Sequence, residues 1–140
     1  MEDEQKLILN EYRRNPNQKI NKVAKNLNIP LGNAIIGFNN LKLNYIDKFI
    51  CLVNFDKIGF PIHVHLKFKA NNVYKIKDII RLNDFINSAY ELENNNFYIE
   101  CFFKNMNDYS DFCEYLIECD CSNIREHHIV EDISREQFVF

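Results

Sequence analysis

Between Lys22 and Ile46 the chain reads as two short helices joined by a tight turn, and this pattern constrains the fold more than any other feature. Val23, Ala24 and Leu27 recur at helical spacing, Asn28-Ile29-Pro30 interrupts them, and Ala34, Phe38 and Leu41 resume at i, i+4 and i+7. Upstream, DEQKLILNEYRR (residues 3–14) predicts a first helix with Leu7, Ile8 and Tyr12 on one face. Its acidic start and its Arg13-Arg14 end suit the helix macrodipole. Asn15-Pro16-Asn17 breaks that helix, and a second runs from about Lys19 to Leu27. Pro30 falls near the first turn of the third, where it loses no helical hydrogen bond, and Asn44 stands where a left-handed cap would close it. Three helices of this size form a helix-turn-helix unit, whose usual use is to set the last helix in a DNA groove.

From Tyr45 to Val53 (YIDKFICLV) the pattern turns β-like, which predicts a wing or linker strand. In GFPIHVHLKFKA, Phe60, Ile62, Val64, Leu66 and Phe68 alternate with Pro61, His63, His65, Lys67 and Lys69, the period of a half-buried strand. A helix over Val73 to about Leu82 follows, with Val73, Ile76, Ile79 and Ile80 inward. Strands Phe85–Leu92 and Phe97–Phe103 flank the turn-like Glu93-Asn94-Asn95-Asn96. Asn107-Asp108-Tyr109 opens a second helix with Tyr109, Phe112, Cys113 and Leu116 inward. Arg125 to Ile133 supplies a last strand, and Phe138-Val139-Phe140 is an apolar tail.

The expected fold class is therefore α+β. A winged helix-turn-helix head (residues 1–46) and a linker strand (47–58) precede a βαββαβ ferredoxin-like domain (59–140). Such a sheet carries helices on one face only. The other face would hold His63 and His65 from its first strand and Tyr98, Glu100 and Phe102 from its third. Tyr98 and Phe102 are large groups to leave wet, so a second copy of the sheet is expected to cover them. His63, His65, Tyr98 and Phe102 are the expected dimer interface.

Composition narrows the class. Of the 140 residues 46% are hydrophobic and 26% charged, a globular balance. No apolar run approaches the roughly 18 residues that span a bilayer. The acidic Met1-Glu2-Asp3-Glu4 start lacks the apolar core of a signal peptide. Five cysteines, an odd number without framework spacing, fit reduced thiols in a cytoplasm. The net charge of -3 hides an asymmetry: residues 1–48 hold eight Lys/Arg against five Asp/Glu, the remainder nine against fifteen. Only the front of the chain is suited to meet phosphates.

Taken together, KLILNEYRRNPNQKINKVAKNLNIP, FNNLKLNYI and VNFDKIGFPIHVHLKF, followed by the β-α-β-β-α-β order, resemble the Lrp/AsnC family of regulators over residues 3 to 132. The resemblance implies double-stranded DNA as a partner and self-assembly as a homodimer or a larger assembly such as a tetramer or octamer. It also implies an amino acid or related small molecule as effector. The DNA contacts would be Asn33, Ile36, Asn39 and Asn40 of the third helix, with Lys42, Lys22, Lys25, Arg13 and Arg14 on phosphates. Family members show Ser-Thr and then basic residues where this chain has Gly32-Asn33, Ile36-Gly37 and Asn39-Asn40. Gly37 would also weaken the helix by about 1 kcal/mol relative to Ala. The effector contact would fall at Asn94, Asn95 and Asn96, where the family's Gly and Asp are missing.

Each of these readings has a plainer rival. Asn33, Asn39 and Asn40 also suit a solvent-facing stripe, with Ile36 and Leu43 forming an apolar patch for another protein. On that view the chain is a DNA-silent sensor or a heteromeric partner. His63-x-His65 sets two imidazoles on one strand face, a geometry that can hold a metal, with His127 or His128 as the third ligand. With no acidic or thiol partner expected beside them, packing at an interface is favoured, and no metal or cofactor is expected. Cys119-Asp120-Cys121 is too closely spaced for a zinc knuckle. No nucleophile elbow or phosphate-cradling glycine loop occurs, so no catalytic residue is assigned and no enzyme is expected.

Overall fold

The computed structural model describes residues 1–136 and Phe138, and they divide into two units. The head unit comprises Met1–Leu52 and the chain from Ile133, and the body unit spans Val53–Asp132. The last segment, expected in the body, thus returns to the head. Val139 and Phe140 of the expected apolar tail lie outside the described residues.

The head holds α1 (Asp3–Arg14), α2 (Ile20–Leu27) and α3 (Leu31–Asn44). Ile8, Tyr12, Val23 and Leu41 form its core, with Leu27, Ile29 and Ile46 packed around them. Each fully buried aliphatic side chain contributes about 1.5–3 kcal/mol. The Tyr12 and Phe38 rings stack at 4.1 Å. Leu7, expected on the inward face, is half exposed. A left-handed Asn28 (φ 55, ψ 43) ends α2, and the Ile29 N–H donates to the Ala24 carbonyl at 3.0 Å. Asn tolerates this conformation better than most side chains, and Pro30 then starts α3 with its ring-fixed φ of -58. The left-handed cap expected at Asn44 to close α3 does not form, because α3 runs through Asn44 and ends on Tyr45 at φ -134 and ψ -19. Asn44 stays helical and its amide donates to the Asn40 carbonyl at 3.2 Å.

No wing or linker strand forms from the β-patterned Tyr45–Val53 run, because no ladder pairs it. Phe49 lies 6.4 Å from both the Tyr12 and Phe38 rings, whereas Ile50 and Leu52 are exposed. Alternation proposes a strand, but only a neighbour can satisfy the backbone of one.

In the body, β1 (Ile62–Ala70), α4 (Val73–Leu82), β2 (Ile86–Leu92), β3 (Asn96–Phe103), α5 (Met106–Glu118) and β4 (Cys121–His128) form an antiparallel sheet of order β2-β3-β1-β4. Val64, Leu66 and Phe68 of β1 and Phe97, Ile99, Cys101 and Phe103 of β3 face inward with Ile76, Tyr109, Phe112 and Leu116 of the helices. Several asparagines have structural work here. Asn72 and Asn105 accept from the backbone N–H groups of Lys75 and Asp108 at 3.1 and 2.9 Å, capping α4 and α5. The last strand begins at Cys121, earlier than the expected Arg125, because a left-handed Asp120 (φ 66) turns the chain directly from α5 into the sheet.

Candidate functional site

Along α3, Asn33, Ile36, Asn39, Asn40 and Leu43 are exposed, while Ala34, Gly37 and Leu41 face the head core. Ile36 is 70% and Leu43 83% exposed, a strongly apolar contribution to an otherwise amide-rich face. Gly37 does not belong to that face. A Cβ there would stand 2.9 Å from Ile8 Cδ1, so glycine permits the close approach of α1 and α3. Its propensity cost is offset by packing that no larger residue allows unchanged.

The basic candidates differ in what they touch. Lys22 and Lys25 are exposed on α2, and Lys42 Nζ lies 4.9 Å from the Phe38 ring centroid. Neither α2 nor α3 contains an Asp or Glu. Arg14 is well exposed, with Nη1 3.8 Å from Glu11 Oε1, a separation that adds little in water. Arg13 departs from expectation. Its Nε donates to the Phe138 carbonyl at 2.8 Å and its Nη2 pairs with Glu136 Oε2 at 3.3 Å. The chain's own tail occupies the guanidinium expected to hold a phosphate. Glu2 and Glu4 line a shallow cleft with Asn33, Ile36 and Gly37, so the start of α3 has carboxylates beside it.

The body's second grouping lies on the sheet face that carries no helix. Register sets His63 opposite Phe102 and His65 opposite Glu100. His63 Nε2 lies 2.9 Å from Glu100 Oε1, and Asn87 donates to Glu100 Oε2 at 2.7 Å. The Tyr98 hydroxyl is hydrogen-bonded to His65 Nδ1. His63 stacks on Phe102 at 4.2 Å, and Phe55 stacks on the same ring at 3.8 Å. Side-chain exposure falls to 10% for His63, 17% for Glu100 and 25% for His65. Phe102 is therefore covered by its own chain and needs no second copy to shield it. Burial is the main influence on His63 and holds its imidazole below the ordinary value, against the opposing pull of Glu100 and Asp132. For Glu100 burial acts upward, but hydrogen bonds from Asn87, His63 and Ser88 outweigh it and hold the carboxyl below its ordinary range.

Glu100 is the acidic neighbour that the His63-x-His65 pair lacked in the sequence reading. Strand alternation places it on the right face, but only the β1–β3 register brings it to the imidazoles. His127 pairs with His65 in register yet stays exposed, and His128 turns to the Tyr109 ring at 5.3 Å, so neither joins the cluster. Asn94, Asn95 and Asn96 serve a turn. The first two have positive φ, and the Asn96 amide donates to the carbonyls of Glu93 at 2.9 Å and Asn94 at 3.3 Å. Among the thiols, burial pushes Cys101 up to about 12 and Cys121 up to about 11, which leaves both protonated and unreactive at neutral pH.

No family model matches the chain, and no curated protein matches it. Solved structures do. A transcriptional regulator of Neisseria meningitidis in complex with L-Met superposes with a TM-score of 0.86 at 12% identity, covering 96% of this chain and 93% of that one. LrpC of B. subtilis gives 0.86 at 13% identity, covering 96% and 97%. An AsnC family transcriptional regulator from Agrobacterium tumefaciens gives 0.86 at 10% identity, covering 99% and 96%. The chain has the fold that these regulators share, from its three-helix head through its four-stranded body.

Proposed function

We propose that this chain is a transcriptional regulator of the Lrp/AsnC type that binds double-stranded DNA through its head and self-associates through its body. The observation that carries the reading is the turn at Asn28-Ile29-Pro30, which joins α2 to an α3 whose outer face is free of acidic residues. Asn33, Ile36, Asn39 and Asn40 would meet base edges, Asn being able to pair with adenine through two hydrogen bonds. Lys22, Lys25, Lys42 and Arg14 would contact phosphates. The carboxylates of Glu2 and Glu4 beside Asn33 favour an approach led by the later half of α3. Arg13 would contribute only once released from Glu136 and the Phe138 carbonyl.

Dimerisation would use the helix-free sheet face. Tyr90 and Leu92 of β2 pair with Tyr98 and Asn96 and remain exposed there, so apolar surface persists although Phe102 is covered. Hydrophobic surface of this kind supports association of two copies. The Neisseria structure holds L-Met, which supports an amino acid or related small molecule as effector. Among the described residues no helix is long and apolar enough to cross a membrane, consistent with a cytoplasmic setting.

Selection of bound duplexes from a random pool, followed by sequencing, tests the reading. A two-fold symmetric dimer should enrich a palindromic motif with half-sites spaced by about one helical turn or a multiple of it. A pool with no enrichment and no retarded duplex at low salt would contradict it. That result would turn attention to Ile36 and Leu43 as a protein-docking patch.

A further inference from the structure

We infer that His63, His65 and Glu100 form a site for a divalent transition metal of the zinc class, with one coordination position left open. One donor atom from each residue lies within 4.8 Å of the other two. His63 Nε2 and His65 Nε2 are 2.9 and 3.7 Å from the same Glu100 oxygen. In a tetrahedral zinc site with bonds of about 2.0–2.1 Å, donor atoms stand roughly 3.3 Å apart, so the observed separations bracket the requirement. Two imidazoles and a carboxylate are a donor set that binds zinc-class ions, and three protein ligands leave the fourth position for water or a small molecule.

A second observation points into the cluster. His65 Nε2 is buried, and among the described residues no hydrogen-bond partner reaches it. Its approach to Glu100 at 3.7 Å is too long to be a hydrogen bond. A buried polar nitrogen without a partner is costly, and a metal would satisfy it. The outer contacts fix the tautomer needed. When His65 Nδ1–H donates to the Tyr98 hydroxyl, the lone pair is on Nε2 and faces the cluster. For His63, metal binding moves the proton from Nε2 to Nδ1, which faces Asp132 Oδ1 at 3.8 Å. Asn87 donates to Glu100 Oε2, while Oε1 faces the two imidazoles. The site thus has both ligands and supporting partners, and it stands independently of DNA binding.

The test is titration of the chelator-treated, full-length reduced chain with Zn²⁺ against a competing chelator, with Co²⁺ as a spectroscopic probe. One equivalent should bind, and Co²⁺ should give four-coordinate ligand-field bands without a thiolate charge-transfer band. Glu100→Gln and His65→Gln should each weaken binding about 100-fold or more. Tyr98→Phe should weaken it about 10-fold through loss of the outer contact. His127→Ala and the Cys119→Ser/Cys121→Ser pair should leave it unchanged. Imidazole ¹⁵N spectra of the unmutated chain need no variant to fold: Zn²⁺ should shift His63 and His65 and spare His127 and His128. Absence of stoichiometric binding, binding that survives in folded Glu100→Gln and His65→Gln, a thiolate band, or unshifted His63 and His65 signals would each overturn the site.

Discussion

At Gly37 a single hydrogen in place of a side chain decides how closely α1 and α3 approach. Alanine there gains about 1 kcal/mol of helix propensity but crowds Ile8, and overpacking costs about 1–3 kcal/mol. Since Ile8 is wholly buried, the net effect should be destabilising by about 1 kcal/mol. Ile8→Val removes the crowded methyl, so the Gly37→Ala cost should vanish in that background. Thermal melts of the double-mutant cycle check this, and simple additivity would contradict it. Asn28 makes a comparable test. Its left-handed conformation predicts a loss of about 1–2 kcal/mol for Asn28→Ala and little or none for Asn28→Gly in the same melts. Burial also orders the thiols. Exposed Cys51 should alkylate rapidly in the native chain, with Cys101 and Cys121 reacting only on unfolding, as peptide mapping after brief labelling would report.

Helices and strands were legible in the sequence wherever a periodic apolar face met a physical partner. The bounds of α1 follow from acids at one end and Arg13-Arg14 at the other, and those of β1 from strict alternation through Val64, Leu66 and Phe68. Tyr45–Val53 carries the same kind of signal but has no ladder partner, so period alone misled there. The start of β4 was missed because the turn depends on Asp120 at positive φ, a conformation that residue type suggests only weakly. Gly37 reads in the sequence only as a helix-weakening residue, because periodicity does not reveal how close the next helix comes. Glu100 was placed on the correct strand face, yet its meeting with two histidines distant in sequence depends on strand order and register. Arg13 shows the same limit, since its tail partners are over a hundred residues away. On α2 and α3, Lys22→Ala, Lys25→Ala and Lys42→Ala should each lower the salt slope of DNA binding by about 1. Arg13→Ala should change it less, and binding isotherms across salt concentrations decide between the two.

At the scale of the molecule, a front carrying a small positive excess is joined to an acidic remainder, which suits a head that meets DNA and a body that does not. The body's exposed Tyr90 and Leu92 predict self-association, so sedimentation equilibrium should return a dimer or larger species. Tyr90→Lys should shift that population toward monomer while the melting transition persists. Regulation of the proposed kind requires that α2 and α3 meet a phosphate backbone. The direct measurement is the affinity for random duplex DNA as a function of salt, for the unmodified chain and for the Lys22/Lys25/Lys42→Ala triple variant. The unmodified chain should give a steep negative slope of log affinity on log salt that flattens by about 3 in the triple variant. A chain that fails to bind even at low salt, or one whose slope is untouched by the three substitutions, would contradict it.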